Sequence, residues 1–185
     1  MSEDRIHEQA ADVLKFWFDE AGEERWWKKD EDFDAEIRER FGVLRNDVFS
    51  TQATGWRDDP QTLLAAVILL DQFSRNLFRG DAEAFAADPL ACELTREAIA
   101  KGWPEKMDPD HRFFLFMPLM HSEDMADQKD SVRLFDAMAD DGHDRFAHLH
   151  YDQIERFGRF PGRNEALGRT STEEERGALA DGAAF

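Results

Sequence analysis

One cysteine in 185 residues, Cys92, excludes an internal disulfide. Its neighbours Pro89-Leu90-Ala91 and Glu93-Leu94-Thr95 read as helix, so Cys92 is expected to be a small buried hydrophobe, not a reactive thiol. No window approaches the ~18 consecutive apolar residues of a membrane span. The opening stretch, residues 1–18, has no basic region, apolar run or cleavage site, so the expected location is the cytoplasm. Lysine is scarce, 6 against 17 arginines, so positive charge comes mostly as planar forks suited to carboxylate, phosphate or buried ion pairs. A glycine-rich phosphate loop, paired-cysteine zinc spacing, a His-Glu-x-x-His helix and a Gly-x-Ser-x-Gly elbow are all missing. His148 and His150 bracket Leu149 and face different sides of a helix, so they do not form a chelating pair. No cofactor and no metal is expected.

Acid is what the chain has in quantity: 41 Asp and Glu against 23 Lys and Arg, a net charge of -18. That field repels phosphate backbones and anionic lipid, which argues against nucleic-acid and membrane partners. A chain of this length buries about 70% of its extended surface, enough for a core without disulfide or metal staples, and a single domain over 1–185 is expected.

Apolar spacing is helical almost throughout. Val13, Phe16 and Trp17, then Phe33, Ile37, Phe41, Leu44 and Val48, recur at steps of three or four, and no useful strand alternation appears. Asp59-Pro60, Asp88-Pro89 and Asp108-Pro109 each place an N-cap acid before a first-turn proline, and Thr172-Glu173-Glu174-Glu175 matches a capping box. Gly22, Gly80, Gly102, Gly142 and Gly158 fall just past periodic runs, while Gly42 lies inside one. These signals predict helices over about 4–20, 31–50, 60–78, 88–101, 109–118, 122–140, 144–157 and 172–181. The fold class is all-α, with antiparallel helix pairs stacking as a compact α-α superhelix. Pro118 is expected to end or kink its helix. The aromatic group Phe16, Trp17, Phe18, Trp26 and Trp27 reads as core.

Three segments set long polar groups beside large apolar ones. In residues 69–80, Asp71, Arg75 and Arg79 share one helical face, with Gln72 and Asn76 alongside. In residues 118–128, His121, Asp124 and Gln128 fall at steps of three and four, Glu123 is adjacent, and Ser122 is a further N-cap candidate. A carboxylate beside a histidine fixes its tautomer and suits it to general base work or metal ligation. Residues 156–169 carry four arginines and one acid, a local +3, in a glycine- and proline-rich turn system containing Arg159, Arg163, Asn164 and Arg169.

These segments, with Val13-Leu14-Lys15-Phe16-Trp17-Phe18 near the start, resemble the bacterial family catalogued as domain of unknown function 924. The similarity runs through residues 13–18, 26–41, 68–88, 113–135 and 154–175. It implies an all-α fold similar to tetratricopeptide-repeat superhelices and brings no established reaction. Two departures stand out: Ser74 replaces the proline of the usual DQFPRN, and Gly162 replaces the histidine of the usual FPHRN.

Two functional readings follow. In the first, the three segments converge on a pocket for a small carboxylate or phosphate. Arg75, Arg79, Arg159 and Arg163 would clamp it, Asn76, Gln128 and Asn164 would orient it, and Asp71, Gln72 and Arg169 would complete the wall. His121 with Asp124 or Glu123 would be the acid-base pair for hydrolysis or proton transfer. In the second, the same residues form a buried ion-pair network in a non-catalytic helical scaffold for a protein or peptide.

Overall fold

In the computed structural model, which describes residues 3–138 and 144–182, all regular structure among the described residues is helical. The α-helices are α1 (Glu3–Leu14), α2 (Glu23–Trp26), α3 (Glu31–Ser50), α4 (Pro60–Ile68) and α5 (Ser74–Leu77), then α6 (Asp88–Ala100), α7 (Pro109–Met120), α8 (Met125–Asp136), α9 (Asp144–Phe157) and α10 (Glu173–Ala180). The punctuation works where a side chain reaches the orphan amides of a first turn. Asp59 accepts from Gln61 and Thr62, Asp30 from Asp32 and Phe33, and Thr172 with Glu175 closes a full capping box. Asp88 departs from expectation. It is the first residue of α6, Ala87 precedes it without a side-chain cap, and its carboxylate is drawn off by Arg75. The cap of α8 is Asp124 and not Ser122, whose hydroxyl instead binds Asp127. The helix expected over 122–140 is shorter, ending at Asp136 with Ala137 as its C-cap, and the stop expected at Gly142 lies outside the described residues.

Two expected helices contain widened turns. Lys15–Ala21 and Leu69–Phe73 are π-helical, continuing α1 and joining α4 to α5. In the first, the Gly22 amide reaches back five residues to the Trp17 carbonyl at 3.2 Å, and the Trp26 indole donates to that same carbonyl at 2.8 Å. Apolar periodicity cannot distinguish such a turn from an α-turn. Helix α7 runs through Pro118 to Met120, because a proline forfeits one hydrogen bond without forbidding the next turn.

Packing divides the chain into two compact units. In the first, Met1–Arg79 with Glu83–Leu115, α1 lies on α4, α3 packs on the 69–73 turn and α5, and α6 packs on α4 and that turn. Its core is aromatic: Phe16 meets Phe33, Phe41 and Phe73, while Trp17 meets Trp26, Phe33, Phe73 and Phe114. Each fully buried phenylalanine contributes about 1.5–3 kcal/mol. Cys92 is buried on α6. In the second unit, Gly80–Ala82 with Phe116–Phe185, α8 packs on α9, Phe135 meets Phe116 edge-on, and α10 packs on the short turn Pro161–Arg163.

The end of α3 is strained. Gln52 and Ala53 both have left-handed φ, 53° and 54°, and Arg57 holds the Gln52 carbonyl from Nε and Nη2. Because Gln52 is exposed, Gln52→Gly removes a Cβ penalty of roughly 1 kcal/mol per residue and is expected to raise the denaturation midpoint. A lower midpoint in chemical denaturation would show that its Nε2 bond to Phe49 outweighs the strain.

Candidate functional site

The first polar segment lies in the first unit, where the widened turn carries Asp71 and Gln72 into the interior. Asp71 is fully buried and accepts from Gln72 Nε2 at 2.6 Å. Arg75 bridges two acids: Nη1 is 3.1 Å from Asp71 Oδ1, and Nη1 and Nη2 each lie 3.0 Å from one oxygen of Asp88. Burial opposes the charge on Arg75, but Asp71 and Asp88 outweigh it and hold the guanidinium above its ordinary range. Arg79 grips Asp34 with both Nε and Nη2 at 2.9 Å, and Asn76 donates to the same carboxylate at 2.7 Å. The face that aligned Asp71, Arg75 and Arg79 is therefore anchored on Asp34 of α3 and Asp88 of α6.

The second and third segments meet within the second unit. At the end of α7, Gln128 donates its amide to the carbonyls of Met120 and Ser122, both at 2.7 Å, and Arg163 donates to the intervening His121 carbonyl at 2.8 Å. The carbonyl of Met120, the last residue of α7, and those of the two residues that follow it are thus covered by side chains. Arg163 also stacks on Phe160, 4.5 Å from its ring centroid. His121 is nearly buried, with its ring 5.8 Å from that of His150.

Neither carboxylate expected beside His121 is positioned mainly by it. Asp124 caps α8 through the Ala126 amide, and Glu123 accepts from Arg169 on both oxygens at 2.7 and 2.9 Å and from the Phe160 amide at 2.7 Å. Burial pushes Glu123 up, but the Arg169 and Phe160 hydrogen bonds prevail and lower its pKa. That is the wrong direction for a general acid at neutral pH. Arg169 Nε also holds Asn164 Oδ1 at 2.9 Å, and Asn164 turns its amide to Ser171 and Glu175. Arg159 grips Glu175 at 2.7 and 2.9 Å.

Glu175 thus serves twice, as the capping-box acid of α10 and as the counter-ion of Arg159. The Arg159 hydrogen bonds, then the Thr172 amide, depress its pKa from 4.5 to about 2. A depressed carboxylate contributes stability that is complete above the unfolded pKa and is lost as pH falls through the folded one. The expected result is that wild type loses stability between pH 4.5 and about 2 more steeply than Glu175→Gln, by acid titration of circular dichroism. Equal slopes would exclude Glu175 as a contributor.

Arg45, Asp34 and Glu175 lie outside the three polar segments of the sequence, yet each holds an ion pair of this kind. Arg45 had a signal: it is a charge on the stripe of Phe41 and Val48, and it is fully buried. Among the described residues, no group of three His, Cys, Asp or Glu is arranged to hold a metal, and no helix is long and apolar enough to cross a membrane.

No curated protein matches this chain. Among solved structures, a protein of unknown function from Agrobacterium tumefaciens is similar at 38% identity and a TM-score of 0.90, over 95% of this chain and 98% of that one. The model of the family described as bacterial protein of unknown function (DUF924) matches residues 13–183. With nine-tenths of its length inside that family model, this all-helical chain belongs to the bacterial protein family of unknown function DUF924.

Proposed function

We propose that the chain is a non-catalytic helical scaffold for a protein or peptide partner, and that its polar motifs are internal clamps. One observation carries the reading. Of the four arginines expected to grip an external anion, Arg75, Arg79 and Arg159 each spend a two-pronged contact on a carboxylate of the chain itself. A guanidinium so engaged offers little to a ligand without first losing that pair. Tetratricopeptide-like stacking, implied by the family resemblance, is part of this proposal as the architecture that would present a binding face. Exposed acids such as Glu8, Asp12, Glu31, Glu39 and Asp47 favour a partner segment of basic character.

The competing small-anion reading is tested at His121 and Arg163, which meet where Arg163 donates to the His121 carbonyl. Thermal unfolding with millimolar phosphate, citrate and simple dicarboxylates tests the two readings together. The scaffold predicts an unchanged Tm. A ligand at 100 times its Kd would instead add about 2.7 kcal/mol. A saturable rise abolished by Arg163→Ala or His121→Ala would overturn the scaffold reading in favour of a small-anion site.

A further inference from the structure

Arg45 is, among the described residues, the only arginine or lysine that is fully buried, at 1% exposure. Its guanidinium lies between two rings, 4.9 Å from the Phe49 centroid and 4.8 Å from that of Phe78. Nε donates to Ser74 Oγ at 2.9 Å, which sets the plane of the fork, and Nη1 donates to Asn46 Oδ1 at 3.1 Å. The negative charge facing it comes from elsewhere: Glu83 Oε1 lies 3.0 Å from Nη1, and the Glu83 carbonyl 3.4 Å from Nη2.

Glu83 differs from the carboxylates that answer the other part-buried arginines of the 69–80 segment. The side chains of Asp71, Asp88 and Asp34 are 1%, 11% and 11% exposed, whereas Glu83, on the short turn Ala82–Ala84, is 43% exposed. A cation fixed in a low-dielectric, ring-walled recess has a strong demand for one anion, and here a surface turn supplies it. The hydroxyl that orients the fork belongs to Ser74, which is itself fully buried.

We infer that Arg45, Ser74, Phe49 and Phe78 form a carboxylate-binding socket, and that Glu83 is a resident carboxylate closing it, whose place a small external monocarboxylate takes once Glu83 is removed. The inference is independent of the scaffold reading, since it uses none of the arginines on which that reading rests.

Chemical rescue tests it. Glu83→Ala is expected to lower Tm, and sodium formate is expected to restore it saturably, by roughly 3–6 °C at about ten times its Kd, while sodium chloride at equal ionic strength does not. Wild type, with its socket filled, is expected to show no formate effect beyond chloride. Arg45→Met combined with Glu83→Ala is expected to show none either. Should Glu83→Ala not fold, Glu83→Gln keeps an amide oxygen against Arg45 and is expected to respond more weakly but in the same direction. The inference is overturned by equal rescue with chloride, an equal response in wild type, a response that survives loss of Arg45, or no formate response in either Glu83 variant.

Discussion

Replacing Arg75 with alanine is expected to cost about 3–5 kcal/mol, because the change removes the cation that bridges two buried acids. Asp71 and Asp88 have 1% and 11% exposed side chains, and both pair with the Arg75 guanidinium. Arg75→Met is expected to cost nearly as much. It restores packing volume but leaves the same carboxylates facing each other. Their response to pH separates this account from a plain packing defect. A buried carboxylate without its cation has a raised pKa in the folded state. Its protonated form favours folding below the unfolded pKa, and that contribution is lost as pH rises through the folded pKa. The deficit of Arg75→Met relative to wild type should therefore narrow as pH is lowered from 7 towards 4, measured by chemical denaturation. A deficit that stays constant over that range would mean that lost packing, not stranded charge, sets the cost. Adding Asp88→Asn to Arg75→Met should recover part of the loss at pH 7, since it removes one of the two charges that Arg75 bridges.

The same pairing explains what could be seen in the chain before any coordinates. Local signals carried through: Asp59 before Pro60 caps α4, Thr172 with Glu175 closes its box, and the helices expected over 31–50 and 144–157 run as Glu31–Ser50 and Asp144–Phe157. Each depends on residues within four positions of one another, so chain order nearly determines the contact. The polar segments were visible as segments, but which arginine meets which acid was not. Arg79 finds Asp34 across 45 positions, Arg169 finds Glu123 across 46, and Arg75 takes an acid that local rules assign to a cap. A guanidinium can satisfy any carboxylate that tertiary packing brings near, so its presence marks the demand for an anion without naming the supplier. Widened turns hide for a related reason. Segments this short span too few turns for periodicity to register the wider winding, so Lys15–Ala21 and Leu69–Phe73 read as ordinary helix.

The charge distribution gains meaning from these pairs. Against a net -18, several arginines are spent on acids of the fold itself: Arg159 ties α10 to the turn before it, and Arg169 ties the 158–169 loop to Glu123, just ahead of α8. Positive charge is thus largely consumed within the fold, and the outer helix faces keep an excess of acid. On the scaffold function proposed above, an approaching partner meets that excess first, which favours a basic protein segment over a free anion.

Trp17 is where widened turn and aromatic core coincide, and Trp17→Ala is expected to destabilise by about 3–5 kcal/mol. The indole is 1% exposed and contacts Trp26, Phe33, Phe73 and Phe114. Truncation leaves a void that helices on three sides cannot all move to fill. Trp17→Phe is expected to behave very differently. The Trp17 Nε1 donor is buried and makes no hydrogen bond, and an unsatisfied donor costs about 1–3 kcal/mol. Phenylalanine loses part of the contact area but also removes that donor, so the two effects largely offset and a net change below about 1.5 kcal/mol is expected. The Trp17 carbonyl, which accepts from the Gly22 amide and the Trp26 indole, is backbone and survives both substitutions. Urea denaturation of the two variants checks this directly. A loss in Trp17→Phe as large as that in Trp17→Ala would show that the indole is held by an interaction its buried N–H does make, and that ring shape alone does not account for the position.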